Sequence, residues 1–153
     1  MTTTLFTIGY QGETIETFLE RLLAHGIAHV IDVRQRPQSR KPDFGKKRLA
    51  ARLADEGIGY THLGELGTPR ALRDAVRRDH DYATFFAAMR PLIAAQPDAL
   101  DAALALVERS HCALLCFERD HRTCHRLTVA DALQARAATP LTVVHLGRSA
   151  AGL

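Results

Sequence analysis

The sequence predicts a single α/β domain of three layers, a mostly parallel sheet of about five strands with helices on both faces. Three observations predict it. Short apolar runs of strand length alternate with stretches of helical spacing along the chain. No internal repeat, low-complexity segment or linker divides the 153 residues. Polar residue types that carry chemistry cluster just after the apolar runs, where a parallel sheet brings its C-terminal strand ends together. One domain over residues 1–153 follows, with 46% hydrophobic content to fill its core.

Taken in order, Leu5–Tyr10 reads as a buried first strand, closed by Gly9 and Gly12 in a turn. Ile15, Phe18, Leu19, Leu22 and Leu23 lie on one face of an amphipathic helix, with Gly26 placed to end it. His29–Arg34 is the second strand, which completes a βαβ unit. Phe44–Glu56 is expected to be helical, with Leu49 and Leu53 inward, and Ile58–Leu63 is the third strand. A loop leads to Pro69 in the first turn of a helix whose arginines, Arg70, Arg73, Arg77 and Arg78, are expected on a solvent face. Tyr82, Phe85, Phe86, Met89 and Ile93 form an apolar helix face broken or kinked near Pro91, and Asp98 is expected to cap a helix to Glu108. Ala113–Cys116, Leu127–Ala137 and Leu141–Leu146 complete the pattern as strand, helix and strand.

Composition excludes some classes of protein. No run approaches the roughly 18 apolar residues of a membrane span, and the first residues lack a secretory signal. A soluble cytoplasmic protein with no membrane partner is expected. Three cysteines, an odd number, two of them inside a charged segment, predict free thiols in a reducing compartment. A formal charge of +3 permits an anionic ligand. These patterns set no oligomeric state.

The densest chemistry lies in Cys116–Arg126, where eleven residues hold two thiols, two carboxylates, two imidazoles and three guanidiniums at a strand-to-helix junction. If Thr123 caps the following helix, Cys124, His125 and Arg126 fall in its first turn, where the helix dipole favours a thiolate. Cys112, deeper in the strand, is expected to be inert. Cys116 to Thr123 fits Cys-x5-Arg-Thr, a phosphate-loop pattern, but bulky and acidic side chains stand where such loops need small ones. Cys116, His121, Cys124 and His125 are ligand types, yet their spacing is not a standard zinc pattern. A second feature is the basic stretch Arg34–Arg48, seven Lys or Arg against one Asp directly after a strand end.

Several motifs occur together: Thr7-Ile8-Gly9-Tyr10; Asp32-Val33-Arg34 with Pro37 and Ser39-Arg40; Phe44; His62-Leu63 with Glu65-Leu66-Gly67; and Cys116-x-Glu118 with Cys124-His125-Arg126. Over nearly the whole chain this combination resembles the bacterial and archaeal domain-of-unknown-function family 488. The resemblance implies a compact α/β domain with a parallel sheet. It favours Cys116, Glu118, Cys124, His125 and Arg126 as a unit, with Asp32, Arg34 and Arg40 opposite, and it implies no particular reaction.

The expected function is an enzyme working on an anionic substrate, a nucleotide or nucleic acid, at the C-terminal edge of the sheet. Cys116, Glu118, Cys124 and His125 are its expected catalytic groups, and Tyr10, Asp32, Arg34, Arg40 and Arg126 its substrate- and anion-binding groups. A purely structural alternative has Glu118 and Arg126 pair across the turn and lock it. No cofactor and no metal-ligand set is assigned. The alternatives are a non-catalytic phosphate- or nucleic-acid-binding module, using Arg34, Arg36, Arg40, Lys41 and Arg126, and a metal-binding protein.

Overall fold

The computed structural model describes residues 3–147. Five strands, β1 (Thr3–Gly9), β2 (His29–Asp32), β3 (Gly59–His62), β4 (Cys112–Cys116) and β5 (Leu141–His145), form one sheet in the order β3-β2-β4-β1-β5. Every pairing is parallel. Six α-helices connect them: α1 (Ile15–Ala24), α2 (Lys46–Asp55), α3 (Arg70–Asp79), α4 (Tyr82–Ala94), α5 (Pro97–Arg109) and α6 (Arg126–Arg136).

Strand order and chain direction determine which face each helix covers. From β1 through β2 to β3 the chain moves one way across the sheet, and from β3 through β4 to β5 it moves back. Right-handed crossovers then put α1 and α2 on one face and α3–α6 on the other. The core divides accordingly. Phe18, Leu22, Leu49 and Leu53 pack with Phe6, Ile8, Val30 and Leu115. Met89, Ile93, Leu100, Ala103, Val129 and Leu133 pack with Leu5, Ile31 and Leu114. Alternation along β4 sends Cys112, Leu114 and Cys116 to the second face and Ala113 and Leu115 to the first. Cys112 is free and fully buried, and burial pushes its thiol pKa up.

The connection leaving β4 therefore runs to the opposite face from those leaving its two neighbours, β1 and β2. A crevice opens at such a switch point, above the C-terminal strand ends. It lies over Cys116.

Local corrections have local causes. α1 ends at His25 with Gly26 in the left-handed region (φ 66°), as its sequence position predicts. α4 continues through Pro91 for another turn; Pro91 is exposed while Met89 and Ile93 stay in the core. Asp98 does not cap α5: Gln96 holds that place and Pro97, its φ already helical, opens the helix. Residues 42–44 form a separate 3₁₀ turn before α2. Among the described residues no helix is long and apolar enough to cross a membrane.

Candidate active site

Arg34 folds back on Asp32, two residues before it. Nε donates to Oδ1 at 2.9 Å and Nη2 to Oδ2 at 2.7 Å, and the Arg34 backbone N–H adds a third bond at 3.1 Å. Nη1 donates to the Phe44 carbonyl at 2.8 Å and to the Tyr10 hydroxyl at 3.3 Å. Tyr60 also donates to Oδ2 of the same carboxylate. Burial, then the Asp32 charge, pushes the Tyr60 hydroxyl pKa up. Asp32 is completely buried and its oxygens are satisfied from within the protein. The fork thus joins the ends of β2 and β3 to the Tyr10–Phe44 stack (centroids 4.4 Å apart) and makes one rigid wall.

The loop after β4 crosses tightly over β1. The backbone N–H groups of Tyr10 and Gln11 donate to the carbonyls of Cys116 and Phe117. A Cβ on Gly9 would overlap the Glu118 carbonyl oxygen, so only glycine admits the crossing. The chain then makes a 3₁₀ turn at His121–Thr123, capped by the Asp120 carboxylate, which accepts from the Arg122 N–H. That turn displaces the start of α6. His125, not Thr123, is its N-cap, and Cys124 precedes the helix in extended backbone. Cys124 therefore lies outside the first turn. Arg122 pairs with Asp120 on the exposed surface (3.0 Å), so the guanidinium that a phosphate loop would need points elsewhere.

Arg126 is the largest fully buried side chain among the described residues. Its Nε donates to Thr7 Oγ1 at 3.1 Å, Nη1 to Cys116 Sγ at 3.2 Å and to the Glu118 carbonyl, and Nη2 to the Arg119 carbonyl at 3.1 Å. It locks the turn through backbone carbonyls, where the structural alternative had the Glu118 carboxylate as its partner. Burial lowers its pKa to about 10, against the opposing pull of Glu118 and Asp120. Behind it, Thr7 Oγ1 accepts from Arg126 and is hydrogen-bonded to His145 Nδ1 at 2.7 Å. The His145 ring stacks on His121 with centroids 3.7 Å apart.

His125 is buried beside Cys124. Its Nε2 lies 2.7 Å from the Val33 carbonyl, which can only accept, so Nε2 carries the proton. Nδ1 therefore presents its lone pair, 3.7 Å from Cys124 Sγ. Burial holds this imidazole at a pKa of about 4, which leaves it neutral at neutral pH. The sulfur atoms of Cys116 and Cys124 are in direct contact, as in a disulfide, although their Cα atoms stand 7.7 Å apart. Disulfides usually span Cα separations of about 4.4–6.8 Å.

These groups form the floor of a cavity of about 580 Å³. Cys116, Cys124 and His125 line it, together with Tyr10, Arg34, Arg40 and Glu118. Asp32 and Arg126 stand behind the lining. Six cationic side chains, Arg34, Arg36, Arg40, Lys41, Arg73 and Arg77, face one carboxylate, Glu118. Asp32 neutralises Arg34, which leaves five cations facing Glu118. Glu118 is half-buried, and burial raises its pKa against the lowering effect of Arg77 and Arg126.

The profile of Domain of unknown function DUF488 matches residues 14–133. The chain belongs to this family. No curated protein and no solved structure gives a significant match.

In this DUF488 chain two lining residues stand where a solvent face was expected, Arg73 and Arg77 of α3. Their i, i+4 spacing puts both on one helix face with Val76, and α3 lays that face along the cavity. Arg36 and Lys41 belong to the basic stretch after β2, and Phe85 adds an apolar patch from α4.

Proposed function

We propose that this cavity binds a phosphate-bearing substrate, a nucleotide or the end of a nucleic acid, and that the groups on its floor act on it. The observation that carries this is the charge of the lining: five cations besides Arg34 around a single carboxylate, over two sulfur atoms and an imidazole. Cations from two separate segments, the loop after β2 and helix α3, favour an anion with several oxygens over a single charge. The 580 Å³ volume matches ligands of nucleotide size. Tyr10, stacked on Phe44 and held by Arg34, offers an aromatic edge beside the anion site.

Among the described residues Glu118 is the only carboxylate on the lining, and it would move a proton at the bound substrate. The buried Asp32–Arg34 fork and Arg126 hold the walls in place. A reducing, cytoplasmic location suits a floor made of cysteines. The test is chromatographic: nucleotides and short 5′-phosphorylated oligonucleotides are incubated with the protein and products are resolved. Turnover is expected, and Glu118→Gln should slow it about 100-fold or more while leaving ligand affinity intact. Binding without turnover of any panel member would overturn the enzymatic part and leave a phosphate-binding module.

A further inference from the structure

We propose that Cys116 Sγ, Cys124 Sγ and His125 Nδ1 form a three-ligand site for a thiophilic divalent cation such as zinc, its fourth position open to the cavity. This deepens the reading above, because the open position would take a water or a substrate phosphate oxygen. Binding of the ion itself requires no substrate.

The three ligand atoms all lie within 4.8 Å of one another and all three residues are buried. Adjacent residues within one helix point apart, but Cys124 stands before α6. Cys124 is extended (φ −122°, ψ 141°) and His125 is the helical N-cap, so sulfur and Nδ1 converge on one point.

The backbone spacing favours a shared ion over a sulfur–sulfur bond. The Cα atoms of Cys116 and Cys124 are 7.7 Å apart, wider than disulfides usually span, and that spacing suits two sulfurs turned apart to take metal–sulfur bonds of about 2.3 Å each. The outer partners also fit. Nε2–H of His125 is tied to the Val33 carbonyl, the arrangement that orients a metal-bound imidazole and fixes its tautomer. Arg126 Nη1, 3.2 Å from Cys116 Sγ, donates to a sulfur that must carry negative charge to ligate.

Two thiolates and an imidazole select zinc over magnesium or calcium, which prefer oxygen. Three protein ligands with one open position is the pattern of catalytic zinc sites; structural sites take four. All three ligands line the cavity, so the open position faces the anion-binding cations.

The test uses the full chain, untagged, reduced and stripped with chelator, titrated with Co²⁺ in the absence of any phosphate compound. One ion per chain is expected, with thiolate-to-cobalt charge-transfer absorption in the near ultraviolet that Zn²⁺ abolishes on displacement. Cys124→Ser should weaken binding by more than the ~10–100-fold that loss of an outer partner costs, and Cys112→Ser should leave stoichiometry and spectrum unchanged. No cobalt uptake by the reduced wild-type chain would overturn the proposal. So would a spectrum without thiolate bands, or a Cys124→Ser variant that binds as well as wild type. Nucleotide affinity of the stripped chain is measured separately. Loss of the ion with phosphate binding intact overturns only the metal site, whereas the reverse result overturns the reading of the cavity.

Discussion

Among the described residues Arg126 has no hydrogen-bonded carboxylate, and its donors go to a hydroxyl, a sulfur and two carbonyls of one loop. A buried cation of this kind organises whatever accepts from it. Thr7→Val keeps the shape of the buried strand residue and removes the oxygen that Arg126 Nε uses. The expected cost is about 2 kcal/mol in urea denaturation, typical of a lost hydrogen bond to a charged group. Arg126→Lys should not restore the wild-type level, since one ammonium cannot reproduce the guanidinium fork. The same threonine bridges to His145, whose pKa is held at about 4 by burial, then by His121 and Arg126. Burial, ahead of Arg126, also lowers His121. The folded rings are therefore neutral where unfolded histidines, near pH 6.5, already take up protons. Stability should hold above about pH 6.5 and fall as pH drops from there towards 4. Because the rings are only partly buried, a loss of about 1 kcal/mol is expected after allowance for solvent screening. His145→Asn should remove this pair's share of the acid limb in a pH series of denaturation midpoints, while the share of buried His125 stays.

At the scale of elements, the crossing of the β4 loop over Gly9 connects the fold to the site. Gly9→Ala would set a methyl group against the Glu118 carbonyl, backbone against which no side chain can yield. A loss near 3 kcal/mol, the upper part of the overpacking range, is expected from thermal or urea unfolding. Anion affinity should fall with it, because Cys116 and Glu118 move with the loop. These elements were largely legible in the sequence because apolar spacing reports strands and helices directly. The start of α6 was not. Asp120 and Thr123 are both good caps, and only in three dimensions does Asp120 capture a 3₁₀ turn first. The site role of Arg73 and Arg77 was equally hidden, since an i, i+4 arginine pair reads the same whether its face meets solvent or a cavity. For Asp32 and Arg126 the sequence signalled importance without the direction of their bonds, which here run inward.

At the scale of the whole molecule, strand order does what no single residue can. With β4 between β2 and β1, and its connection leaving towards the opposite face, Tyr10, Arg34 and Cys116 meet although they are far apart in sequence. The net charge of +3 is small, but the fold concentrates cations at one opening. That concentration is the central claim, and calorimetric titration of a nucleoside triphosphate against its parent nucleoside tests it most directly, in wild type and in Arg73→Glu/Arg77→Glu. The triphosphate should bind wild type with an affinity that falls as salt rises, the nucleoside should bind far more weakly, and the double variant should lose at least about tenfold. Equal affinity for triphosphate and nucleoside, or an unchanged double variant, would contradict it.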